Sequence, residues 1–262
     1  MHRIALARHS RSIALGLAAL AASAAAFAQT ADSPTIRQRV LDVLQGDIRT
    51  AEERARDPNR MPADVLEFFG LRDDMRVIEI LPAGGWYTKI RGPLLKERGK
   101  LYVTHPPGFY ADMFAPVADL PGLEAVEEID WDATGRGSGG PFAPPGRWDV
   151  EPVDLVVTFR NYHNFSPEDR AALNRAVYDA LEPGGHYGIV DHTRRHMEPS
   201  NQQNRRRVDP VLVIKEVQDA GFVLVDFSDV LARPGDGLVY EVAHPEITDR
   251  TDRFTLLFRK PE

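Results

Sequence analysis

The sequence predicts an α/β fold: an open, doubly wound, mostly parallel sheet with helices on both faces and an antiparallel hairpin at its C-terminal end. Three observations predict it. Short apolar runs of β character alternate with helix-length amphipathic stretches from residue 76 to residue 220. One such run, VIEILPAGGWYT at 77–88, ends in an acid and passes through a small-residue turn into a helix. Open α/β sheets hold nucleotide-like ligands with that arrangement, at a helix N-terminus. Two β runs close the chain with no helix-length pattern between them, which implies antiparallel pairing at one edge.

Each element has a local reason. Ile36, Val40, Leu44 and Ile48 recur every four residues between charges, so 34–56 reads as an amphipathic helix lying on the main body. Asp57-Pro58-Asn59-Arg60 breaks it, and a helix over 62–69 begins at Pro62 and stops at Gly70. Strand one is 76–81, and a helix over 86–97 follows. Gly99-Lys100 turns into strand two, 101–104; a helix over 110–120 then leads to strand three, 124–129. Residues 132–152 are rich in Gly and Pro, and a loop that long means function or disorder, disorder being the expectation here. Strand four is Val153–Phe159, Ser166 caps a helix over 167–181, and strand five is 187–190. A basic loop, 194–207, precedes a helix over 210–220, and the final strands are 223–227 and 254–258.

The 262 residues are 43% hydrophobic and 27% charged, ordinary for a globular domain. The first segment is not ordinary. Arg3, Arg8 and Arg11 stand without an acid, an Ala/Leu run fills 13–27, and Ala26-Phe27-Ala28 is a small-x-small cleavage site. These are the three zones of a secretory signal peptide, expected over 1–28. The apolar run, about 15 residues, is short of the roughly 20 that span a bilayer; an uncleaved anchor is the competing reading. The expected organisation is therefore a signal peptide (1–28), a helical extension (29–59) and a main domain (60–262) in a protein exported to the periplasm or beyond, with no membrane contact after cleavage. Loss of 1–28 takes the net charge from −7 to −10, which argues against nucleic-acid binding. With no cysteine, disulfides, thiolate catalysis and Cys-ligated metals are excluded.

Five βα units and a terminal hairpin resemble the class I S-adenosylmethionine-dependent methyltransferases, and local motifs agree. Glu79-x-Leu81-x-Ala83-Gly84-Gly85 stands where that family has an acidic-x-Gly-x-Gly-x-Gly loop. Val153-Asp154-Leu155-Val156-Val157 resembles its fourth strand, and Leu181-Glu182-Pro183-Gly184-Gly185-His186-Tyr187 its turn before the fifth. The resemblance covers about 60–262. Within it, EILPAGGWYT, TFRNYHNF and IVDHT together are similar to an exported, methyltransferase-like bacterial group.

The resemblance implies a seven-stranded Rossmann-like sheet that binds S-adenosylmethionine and methylates a small molecule. Glu79 would hold the methionine amino group, and Gly84 and Gly85 would let the backbone approach the ligand, while Leu81 and Ala83 replace two family glycines. Leu81 fits only if its side chain points into the sheet. Where the family places an acid on the ribose hydroxyls, this chain has Thr104-His105, and a neutral His105 supplies one hydrogen bond in place of two. Asp130 would meet the adenine amino group, Tyr87 would cover the methionine portion, Arg160 and Asn161 would line the cofactor, and Arg60 would reach its carboxylate. Trp86 is expected to pack under the loop.

Catalytic groups belong at the carboxyl ends of strands four and five. There His163 is the first choice of general base, with Asp191 orienting an imidazole or a polar substrate, and His192 the third candidate. The competing reading makes Asn161 and His163 turn caps and Asp191 an anchor for backbone amides. The 163/191/192 spacing contains no tight ligand motif, and no metal is expected. Arg194, Arg195 and Arg205-Arg206-Arg207 either bind an anionic substrate or are solvated. Because S-adenosylmethionine is made in the cytosol, the alternative function is a non-catalytic module of the same fold that binds another small ligand or a partner protein.

Overall fold

The structure, a computed structural model, describes residues 34–131 and 143–262. The signal segment 1–28 and much of the Gly/Pro-rich stretch lie outside the described residues. The amphipathic pattern at 34–56 gives two short helices in place of one, α1 (Ile36–Leu44) and α2 (Ala51–Arg54), and α3 (Asp57–Arg60) follows them. The break has a cause. Thr50 is an N-cap whose hydroxyl accepts from the Glu53 amide while the Glu53 carboxylate accepts from the Thr50 amide, so a new helix starts where the old one was expected to continue. Asp57–Arg60, expected as a breaker, is itself a helical turn, because Pro58 lies in its first turn where no amide is needed. Val40 and Leu44 of α1 are buried in the same core as Phe69 and Leu71.

Helix α4 (Pro62–Phe68) leads to β1 (Arg76–Ile80), α5 (Thr88–Leu95), β2 (Lys100–Thr104), α6 (Phe109–Ala118) and β3 (Val126–Ile129). Then come β4 (Val153–Phe159), a 3-10 turn (Tyr162–Asn164), α7 (Pro167–Ala180), β5 (Leu181–His192), α8 (Pro210–Asp219), β6 (Val223–Ser228) and β7 (Arg253–Arg259). The expected cap of α7 forms, the Ser166 hydroxyl accepting from the Asp169 amide at 3.2 Å. The sheet order is β3-β2-β1-β4-β5-β7-β6, parallel throughout except for β7, which runs antiparallel to both neighbours.

Alternation along the strands fills two cores. In β1, Val77 packs on one face and Ile78 and Ile80 on the other; in β4, Leu155, Val157 and Phe159 share the first face. The Leu181–His186 segment is not a turn before strand five, as expected, but part of β5. Val153 pairs with Leu181 and Leu155 with His186, so two residues of β4 oppose five of β5 in a bulge that Gly184, at φ +81°, makes possible. No helix among the described residues is long and apolar enough to cross a membrane.

Candidate functional site

A cleft of about 490 Å³ opens at the carboxyl ends of β1 and β4, where the strand order reverses. Its floor is the 81–84 segment after β1. Leu81 and Ala83 hold φ of +56° and +50°, the left-handed region that favours glycine. Leu81 is held there from both sides: its amide donates to the Thr104 carbonyl at 2.9 Å, and its carbonyl accepts from Asn161 Nδ2 at 3.0 Å. Its side chain is 3% exposed in the core with Ile78 and Ile80, the orientation that the resemblance required. Gly84 faces open space on the cleft, whereas Gly85 packs away from it: a Cβ there would lie 2.5 Å from Val117.

Glu79 borders the cleft with a carboxylate already engaged. Its Oε2 accepts from the Thr88 hydroxyl at 2.6 Å and lies 2.6 Å from a guanidinium nitrogen of Arg91, which is 0% exposed. Thr88 and Arg91 are three residues apart on α5, one face of the helix that the loop feeds. Oε1 has no protein partner among the described residues. Tyr87 stacks on Phe159 with ring centroids 3.7 Å apart, and Trp86 donates to the Glu53 carbonyl at 3.0 Å; both rings border the cleft, so Trp86 does not pack wholly beneath the loop.

The opposite rim is built around Asp191. This carboxylate, 0% exposed, accepts from the His163 amide at 2.9 Å and the His192 amide at 2.6 Å, and its Oδ1 lies 2.6 Å from His163 Nδ1. The contact orients the His163 ring: when the neutral imidazole donates from Nδ1 to this carboxylate, Nε2 is the acceptor nitrogen. Asp191 therefore acts on the cleft through His163, which borders the cleft where Asp191 does not. His192 also borders it. Burial first, then the charge of Arg160, holds this imidazole well below its ordinary pKa of 6.5, so it stays neutral at pH 7.

Three of the expected residues lie elsewhere. His105 does not reach the cleft: its ring lies 5.7 Å from Phe114 and its Nε2 is 3.2 Å from the Glu128 carboxylate, turned toward α6 and β3. Asp130 is exposed and outside the lining. Gly85 is structural, as above. Asn161 borders the cleft as expected, and its Nδ2 donates to the Leu81 and Phe159 carbonyls, so it also clamps the loop. The basic loop is structural too: Arg207 pairs with Asp236 at 2.8 Å, both side chains fully buried, and Arg195 donates to the Gly237 carbonyl at 2.7 Å. Of that loop only Arg206 reaches the cleft, and Glu241 pairs with it.

The sequence reading missed Arg56 and the apolar wall of Phe109, Tyr110 and Met113 from the start of α6, all on the cleft, and Arg91 behind Glu79. Only the wall left a trace, as apolar residues at helical spacing in a segment with too little core to cover them. Among the described residues no cluster of three or more His, Asp or Glu is placed to hold a metal ion.

The strand order and the switch-point cleft define the class I methyltransferase fold. Solved structures agree. The chain is similar to an S-adenosylmethionine-dependent methyltransferase from Aquifex aeolicus at 16% identity, over 86% of this chain and 99% of that one, with a TM-score of 0.54. It is similar to the [4+2]-cyclase SpnF at 16% identity over 87% and 97% of the two chains (TM-score 0.56), and to human N-acetylserotonin methyltransferase, solved in complex with S-adenosylmethionine, at 15% identity over 86% and 56% (TM-score 0.54). At these identities the likeness is one of fold. No family model matches this sequence, and no curated protein does.

Proposed function

We propose that the chain is an exported S-adenosylmethionine-dependent methyltransferase acting on a small molecule. The observation that carries this reading is the His163–Asp191 pair on the same cleft as Glu79 and the Gly84 backbone. The residues fit the methionine half of the cofactor: Glu79 borders the cleft beside the Gly84 backbone and offers a carboxylate to an ammonium. They fit the ribose half less well, since no carboxylate stands where His105 turned away. When bound, the cofactor supplies an electrophilic methyl group. His163 Nε2 would take the proton of an acceptor hydroxyl or amine, Asp191 would stabilise the resulting imidazolium, and His192 would stay neutral beside them. Several neighbours carry the methyltransferase name, which supports the reading; the cyclase shows that the fold also hosts other chemistry.

A non-catalytic module of the same fold is the second reading, favoured by the Arg91 contact on Glu79 and by the missing ribose acid. Titration calorimetry of the full chain with S-adenosylmethionine and S-adenosylhomocysteine separates the two. The enzyme reading expects both to bind, with Glu79→Gln weakening each at least tenfold. Glu79→Ala is the wrong variant, because it strands Arg91 as a buried unpaired charge at a cost of about 3–5 kcal/mol. No heat with either ligand on folded protein overturns the enzyme reading.

A further inference from the structure

The cleft holds more positive charge than the protein neutralises. Arg56, Arg60 and Arg160 all border it, and none of their guanidinium groups makes a hydrogen bond or ion pair among the described residues. Arg60 is 5% exposed, with its guanidinium 4.3 Å from the Trp86 ring centroid. The cleft's own acids are engaged elsewhere, Glu53 with Lys89 at 2.7 Å and Glu79 with Arg91. Asp191 and Asp249 act on Arg160 only through space. Burial, then Arg160 and other nearby arginines, pulls the Arg60 guanidinium down to about 8. Guanidinium groups resist deprotonation, so the cluster stays charged and repels itself until an anion enters.

Backbone strain supports the same assignment. Arg160 holds φ +59°, a conformation that a long side chain adopts only at a cost of about 1–2 kcal/mol, pinned by its amide on the Val190 carbonyl at 2.7 Å. That strain places a half-buried cation at the cleft next to the His163 turn. A methionine carboxylate carries one negative charge and would answer one guanidinium of the three.

We propose that the methyl acceptor is a small molecule carrying two negative charges, a phosphate ester or a dicarboxylate, held by Arg56, Arg60 and Arg160. Planar guanidinium groups bind both chemistries bidentately. The acceptor role rests on the methyltransferase reading; the anion site does not.

The test is calorimetry of the full chain at pH 8 with inorganic phosphate and with succinate, each with and without saturating S-adenosylhomocysteine at fixed ionic strength. The inference expects one dianion per chain, bound equally well when S-adenosylhomocysteine is present. Arg160→Asn, which tolerates the left-handed backbone, and Arg60→Met, which keeps the contact with Trp86, each weaken it at least tenfold. Both variants melt no lower than the parent, because each removes repulsion; a structural role would lower the melting point. The tighter of the two probes identifies the chemistry. No dianion binding, unchanged affinity in both variants, or displacement by S-adenosylhomocysteine overturns the inference, the last because the arginines then serve the cofactor carboxylate. Dianion binding without S-adenosylhomocysteine binding keeps the site and overturns the methyltransferase reading alone.

Discussion

Asp191→Asn isolates the role of the rim. The side chains are isosteric, but the carboxylate accepts three hydrogen bonds from the rim, and an amide can accept only through one oxygen. At least one donor then faces the new NH2 group and is left unpaired without water. A hydrogen bond to a charged group contributes about 1.5–3 kcal/mol, so losing one or two costs about 3 kcal/mol. For a domain of this size that lowers the melting temperature by roughly 6–12 °C in scanning calorimetry. A second readout comes from nitrogen NMR of His163, whose proton should shift from Nδ1 toward Nε2 when the Nδ1 acceptor becomes a donor. General-base catalysis should fall by about 10²–10⁴. A melting point within 2 °C of the parent, with the His163 tautomer unchanged, would refute the argument, because the three contacts would then carry neither stability nor orientation.

Two further outcomes follow from the cleft. Ala83→Gly relieves a left-handed alanine worth about 1–2 kcal/mol against a glycine entropy cost of about 0.5–1 kcal/mol, so denaturant midpoints should stay level or rise; Leu81→Gly relieves the same strain but empties a core position and should lose about 2–5 kcal/mol, and equal shifts in the two variants would sink the distinction. Burial holds His192, and to a lesser degree His186, below the ordinary pKa of 6.5 in the folded state. The unfolded chain therefore binds protons that the folded one refuses, so this stability is complete above pH 6.5 and is lost as pH falls below it. Melting curves between pH 7.5 and 5 should show that slope, flattened in His192→Gln; an unaltered slope would clear His192 of it.

What the sequence disclosed was local. Val153–Phe159 appeared with the expected bounds, because a short, mostly apolar and β-branched run reads as a buried strand of a parallel sheet. The Ser166 cap and the terminal hairpin were equally visible, as was the meeting of Asp191 and His163, which required only that two strand ends adjoin. The failures were contests between local and distant forces. The period-four stripe at 36–48 is real, yet the Thr50–Glu53 cap outbid its continuation. His105 was expected on a ribose, but Phe114 and Glu128, set by the packing of α6 and β3, turn it aside. The arginine cluster joins residues a hundred positions apart and left no periodic trace at all.

The bulge that absorbs Gly184 lies at the amino end of β5, at the far end of that strand from Asp191. Side chains alternate along a strand, so the residue that faces the rim at 191 depends on how many residues the bulge has taken in. Strand five thus behaves like a shaft whose angular phase is set at one end and read at the other. The pairing of Asp191 with His163 is fixed as much by a count of residues beside Pro183 as by any group near the cleft, and insertions or deletions there are felt as a change of handed-out side chains across the sheet.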